Sequence, residues 1–294
     1  MSESYNPPRA YREFFENDFT YLNGFRRNIG RFGNRVAVSD PDTGKQWTYA
    51  QLGERVDRIA TGLADAGIRA GGDVVAYQLF NGVEFAELYL ATQAAGAVGS
   101  PVNHRLAAGE TAFVLDKSAP PAVFVYDTEL TVPVREALRL ALHTPPKLIV
   151  AVGDGDPVEV PGTTVIHYRS LAADRIALPP LHRTVWDETT RLYTSGTTGM
   201  PKGVPLNSMI EVFSAHDVIM HFPLSPEDRT LNMTPWFHRG WSLLRRAEPD
   251  VLCRRRGRAA ADVRRGPGAR PRRRARPDVP HRRAHQPRDA GLRT

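Results

Sequence analysis

Cysteine is almost absent from this 294-residue chain: Cys253 stands alone, so no internal disulfide framework is available to it. No apolar run approaches the roughly 18 residues that a membrane span needs. Met1 to Gly30 mixes charges with Tyr and Phe and lacks the apolar core of a secretion signal. Together these absences make a cytoplasmic protein without a membrane span the expectation. Lysine is missing too, but only locally. From Leu243 to Thr294 there are 17 Arg and no Lys against five acids, and no Phe, Tyr or further Trp follows Trp241. The net charge of +7 is therefore misleading, because the tail carries +12 and residues 1–242 carry −5. An Arg-rich tail suits RNA, but phosphate-binding tails normally mix in lysines and stacking aromatics. Nucleic acid is not the expected partner of the mildly acidic body.

What is present is an ordinary globular composition, 41% hydrophobic and 9% aromatic. Thr48 and Gln51 have the spacing of a capping box, and Leu52, Val56, Ile59, Leu63 and Ala66 then fall at steps of three and four. That pattern predicts an amphipathic helix closed by Gly67, a residue that tolerates positive φ. Beyond the Gly71-Gly72 turn, Val74–Leu79 reads as a buried strand and Glu84–Ala95 as a helix. Gly96–Val102 is the next strand, Ala108–Lys117 a helix, Ala122–Tyr126 and Leu148–Val152 further strands. Such alternation predicts parallel βαβ units with helices packed on a sheet, an α/β fold. Residues 172–188, rich in Pro and charge, read as a connecting loop.

The chemistry concentrates in one segment. Arg191-Leu192-Tyr193 reads as a strand running into Thr194-Ser195-Gly196-Thr197-Thr198-Gly199-Met200-Pro201-Lys202-Gly203. Glycines let the backbone turn tightly and bring amides to an anion. Ser195, Thr197 and Thr198 add hydroxyl donors. Lys202 adds a full charge, worth about 4 kcal/mol against one phosphate charge in partly screened surroundings. The segment predicts a polyphosphate cradle. It is not a Walker loop, because Gly199 stands three positions before Lys202 rather than next to it.

This segment resembles the signature loop of the adenylate-forming (AMP-binding) superfamily, of the acyl-CoA synthetase or fatty-acid–CoA ligase type. The resemblance extends over approximately residues 13 to 242, in the family's order: Trp47-Thr48-Tyr49-Ala50-Gln51-Leu52, Asn81-Gly82-Val83-Glu84-Phe85, Gly96-Ala97-Val98, Pro101-Val102-Asn103 and Pro235-Trp236-Phe237-His238-Arg239-Gly240. It implies the N-terminal domain of that fold, with parallel-rich sheets flanked by helices. It also implies attack of a carboxylic acid on the α-phosphorus of ATP, giving an acyl-adenylate and pyrophosphate, and then transfer to coenzyme A. Thr194, Ser195, Gly196, Thr197, Thr198, Gly199 and Lys202 would hold the β- and γ-phosphates, with Mg²⁺ neutralising them. His238 would line or gate the acyl site; a surface histidine beside aromatic packing is the competing reading. Trp236 and Phe237 are expected in the core. His143, His167 and His182 lack metal-ligand spacing, so no protein metal site is expected.

The family's later motifs, for adenine, ribose, Mg²⁺ and the C-terminal-domain lysine, do not appear after Trp241. Arg, Ala, Pro and Gly have GC-rich codons, and a GC-rich gene read out of frame yields such text. Suitable third bases for Ala247 to Arg255, read one base later, give P-N-P-T-F-Y-V-G-G. The expectation is therefore an incomplete AMP-binding domain over residues 1–242 and a frameshifted, disordered tail over 243–294, with negligible ligase activity. A nucleic-acid-binding protein and a catalytically dead interaction module are the alternatives.

Overall fold

Thr48 opens a helix with a complete capping box. Its hydroxyl accepts from the Gln51 amide at 3.2 Å, while the Gln51 side chain accepts from the Thr48 amide at 2.9 Å. Helix α3, Tyr49–Asp65, follows, with Leu52, Val56, Ile59 and Leu63 all buried, and Gly67 ends the turn at φ +85°. This is the helix that the spacing predicts. The computed structural model describes residues 7–117, 121–141, 146–194, 201–222, 224–225, 228–232, 234–238 and 251–253.

Before α3 come α1 (Pro7–Asp18), α2 (Tyr21–Phe32), β1 (Val36–Ser39) and β2 (Gln46–Thr48). After it the chain alternates through β3 (Val74–Gln78), α4 (Val83–Ala94), β4 (Val98–Pro101), α5 (Ala108–Lys117) and β5 (Val123–Asp127). It continues through α6 (Thr131–Leu140), β6 (Leu148–Val152) and β7 (Thr164–His167). An antiparallel pair, β8 (Glu188–Thr194) and β9 (Lys202–Asn207), leads into α7 (Ser208–His221). The short strands β10 (Thr230–Asn232) and β11 (Val251–Cys253) complete the described elements.

Seven strands form one sheet in the order β7-β6-β5-β3-β4-β8-β9, parallel except for β9. Alternation along the strands divides the core. Val75, Tyr77, Val123, Val125 and Val150 face the layer that holds α3 and α4, whereas Ala76, Phe124, Tyr126 and Ile149 face α5 and α6. Burial on both faces is why these strands read as continuous apolar runs. Helix α4 is buried all round, with even Glu84 and Glu87 inside. The second sheet, β10-β11-β1-β2, pairs segments distant in sequence.

The predicted parallel α/β fold is present, with boundaries within a residue or two for β3, α4, α5, β5 and β6. Within the stretch expected to be a tail, Val251–Cys253 pair in parallel with both β1 and β10, satisfying backbone groups that β1 would otherwise leave open. Among the described residues no helix is long and apolar enough to cross a membrane.

Candidate functional site

The loop expected to hold phosphates is presented by the β8–β9 hairpin. In register, Thr194 at the end of β8 stands opposite Lys202 at the start of β9, and both are exposed. Among the described residues Lys202 makes no ion pair, whereas Arg191 is held by Glu188 through two contacts of 2.7 Å. The Glu188 hydrogen bond raises the Arg191 pKa above its ordinary value, with burial opposing. Lys202 is thus, among the described residues, a cation without an ion-pair partner at the start of β9. Ser195, Gly196, Thr197, Thr198 and Gly199 lie outside the described residues.

His238 belongs to a short 3₁₀ turn, Trp236–His238, fixed by a residue remote in sequence. Asn81, buried at the carboxyl end of β3, donates from Nδ2 to the Thr234 carbonyl at 2.8 Å, and its Oδ1 accepts from the Trp236 amide at 2.8 Å. Trp236 is fully buried edge-on to Phe85, and Phe237 meets His104, which in turn lies 4.6 Å from the Phe80 ring. The two aromatics are core residues, as expected. His238 itself is exposed, its ring 5.8 Å from Phe237.

Strand direction joins these two features. β8 runs parallel to β4, and β4 parallel to β3, so Thr194, the His104 segment and the Asn81-anchored turn share one edge of the sheet. The loop after β3 leads to α4 on one face, while that after β4 leads to α5 on the other. Crevices outside the carboxyl ends of strands at such a reversal are where open α/β sheets bind ligands.

The model of the family described as AMP-binding enzyme matches residues 25–241, spanning both features. The chain belongs to the AMP-binding enzyme family. It is 34% identical over 202 residues to the long-chain-fatty-acid–CoA ligase FadD13 of Mycobacterium tuberculosis, covering 69% of this chain and 38% of that protein. To the oxalate–CoA ligase of Arabidopsis thaliana it is 31% identical over 233 residues, covering 75% and 41%. Among solved structures, a putative long-chain-fatty-acid CoA ligase of Rhodopseudomonas palustris superposes with a TM-score of 0.69 at 28% identity, covering 80% of this chain and 57% of that one. The chain spans about two fifths of the length of these curated relatives.

For this AMP-binding chain, the residues present fit part of the group they would hold. The Thr194–Lys202 pair sets an exposed hydroxyl opposite an exposed cation that makes no ion pair among the described residues. Among the described residues no group of three or more His, Cys, Asp or Glu side chains could hold a metal ion, so no Mg²⁺ ligand is assigned. Sequence reading missed the anchoring role of Asn81 and the placement of His104. Asn81 was legible only as part of a family pattern, since its partners lie about 150 positions away.

Proposed function

We propose that this chain is the N-terminal part of an ATP-dependent, AMP-forming acyl-CoA synthetase, with Thr194 to Gly199 and Lys202 gripping the β- and γ-phosphates. The observation that carries this is the register that sets exposed Thr194 opposite Lys202, which makes no ion pair among the described residues, on a hairpin of an AMP-binding domain. ATP, when bound, supplies the activated phosphorus that a carboxylate attacks, and coenzyme A the accepting thiol. The protein's own residues position and neutralise: the loop amides and Lys202 hold the phosphates, and His238, fixed through Asn81, borders the acyl side. No protein nucleophile is required.

Residues 1–242 are then the AMP-binding portion and residues 243–294 out-of-frame text, and the chain has negligible ligase activity of its own. Sequencing the gene across codons 235–260 tests the frame; an intact frame without alternative coding text ends that part of the proposal. Calorimetric titration of the purified chain with MgATP tests the loop. Lys202→Ala should weaken binding at least about tenfold, because a cation near phosphate is worth a few kcal/mol before solvent screening. Equal affinity in the variant would refute the assignment.

A further inference from the structure

Glu211 is a carboxylate with no place in the chemistry proposed above, yet only 2% of it is exposed. It projects from α7 against β8 and α4. Its Oε1 accepts from the Tyr89 hydroxyl and stands 3.2 Å from Thr189 Oγ1 and 2.9 Å from Thr190 Oγ1. Thr189 Oγ1 also lies 3.3 Å from the Leu206 carbonyl on β9, and Thr190 Oγ1 3.0 Å from the Tyr89 hydroxyl. Burial first, and the Glu211 charge second, push the Tyr89 pKa far above the phenol range, so Tyr89 remains a donor at neutral pH. Such a burial is costly for a charge unless hydrogen bonds compensate it.

Two consecutive threonines cannot ordinarily reach one carboxylate oxygen, because successive strand residues face opposite sides of a sheet. Here they do, because the β8–β9 ladder slips. Glu188 pairs with Asn207, but Thr190 pairs with Leu206, so Thr189 and Thr190 together oppose one residue. This bulge turns both hydroxyls to the same buried side, and both threonines are inside. Beyond it the ladder is regular: Arg191 with Pro205, Leu192 with Val204, Tyr193 with Gly203 and Thr194 with Lys202. Losing the bulge would shift every later pair by one residue and turn Thr194 away from Lys202.

We propose that Glu211 is a positioning residue for the phosphate loop: by gathering Thr189, Thr190 and Tyr89 it holds the bulge that sets the Thr194–Lys202 register. The functional consequence rests on the reading of residues 194–202 as a phosphate cradle; the register itself does not. In the full chain carrying Cys253→Ser, Thr194→Cys with Lys202→Cys places two thiols on directly opposed strand positions, a separation a disulfide can span. Oxidative cross-linking should be fast with Glu211 present. It should slow at least tenfold in Glu211→Leu, and likewise in Thr190→Val, with Thr190→Ser restoring it. The melting temperature is recorded for each variant, since an apolar replacement of a buried charge need not destabilise the fold. Cross-linking that persists in folded Glu211→Leu or folded Thr190→Val, or that falls only in step with melting, overturns the proposal. With Thr194 and Lys202 intact, MgATP affinity should fall in the same variants. No MgATP affinity in the unsubstituted chain would instead refute the phosphate-cradle reading, and the cross-link would still decide the register.

Discussion

Arg55 and Glu87 form the most deeply set ion pair among the described residues, and removing one partner has a pH signature that can be worked out in advance. Glu87, on α4, is 1% exposed, while Arg55, on α3, is about a third exposed. Arg55 reaches it through two contacts, of which Nη2 to Oε2 is 3.2 Å, and the Tyr168 hydroxyl donates to Oε2 at 2.8 Å. Burial raises the Glu87 pKa above its ordinary value, and Arg55 and Tyr168 offset that only in part. A carboxyl whose folded pKa is raised contributes stability that is complete below its unfolded pKa and lost as pH climbs through the folded value. Arg55→Ala removes the largest opposing influence, so that loss deepens and extends to higher pH. At 3.2 Å and an effective dielectric of about 20, the pair attracts by about 5 kcal/mol. With Arg55 partly solvated, a net loss of about 2–3 kcal/mol at pH 7.5 is expected. Toward pH 4.5, where the raised pKa makes the neutral carboxyl the majority form, the loss should fall below about 1.5 kcal/mol. Urea denaturation followed by tryptophan fluorescence at both pH values measures it. Adding Glu87→Gln to Arg55→Ala should recover most of the loss at pH 7.5. Equal losses at the two pH values, or no recovery, would refute the reasoning.

Two further substitutions probe how the fold is held together. A Cβ on Gly62 of α3 would stand 1.7 Å from the Leu171 carbonyl oxygen. Gly62→Ala should therefore cost about 2–3 kcal/mol in urea denaturation, although alanine is the better helix former by about 1 kcal/mol; a stabilised variant would show that the 171–177 segment is not seated on α3. Tyr126→Phe removes the acceptor of the Val158 amide at 2.7 Å, inside the core. A loss of about 1–2 kcal/mol is expected, together with faster hydrogen exchange at Val158, and unchanged protection there would contradict the bond.

How far the fold could be read in advance follows from how locally each element is specified. β5 and β6 are apolar runs buried on both faces, and α3 carries both a capping box and a clean apolar face, so each announces itself within its own residues. β7 is half-exposed and gives no such run. The four-stranded sheet joins β1 to β11 from opposite ends of the described chain, a pairing that no local pattern encodes. Helix α7 hides from a periodicity search because its inner face, with Val212, Ala215 and Ile219, includes buried Glu211, while Ile210, Phe213 and Met220 lie exposed. At the candidate site, Thr194 and Lys202 stand out by residue type and spacing alone. The bulge that pairs them is not, because it depends on Tyr89, which lies more than a hundred residues earlier.

The same topology sets the two halves of the proposed chemistry side by side at one end of the sheet, each with its own anchor and with one helix in common. Parallel β3, β4 and β8 bring their carboxyl ends to one edge. The acyl-side turn is then fixed from β3, through the two hydrogen bonds of Asn81, whereas the phosphate hairpin is fixed from α4 and α7, through Tyr89 and Glu211. Phe85 and Tyr89 both belong to α4, one packed on Trp236 and the other bonded to Glu211. A helix buried all round, held by neighbours on every side, can serve as a rigid rod between the two anchors. Under the proposed adenylation, α4 is then the element shared by the acyl-side turn and the phosphate hairpin, through Phe85 and Tyr89.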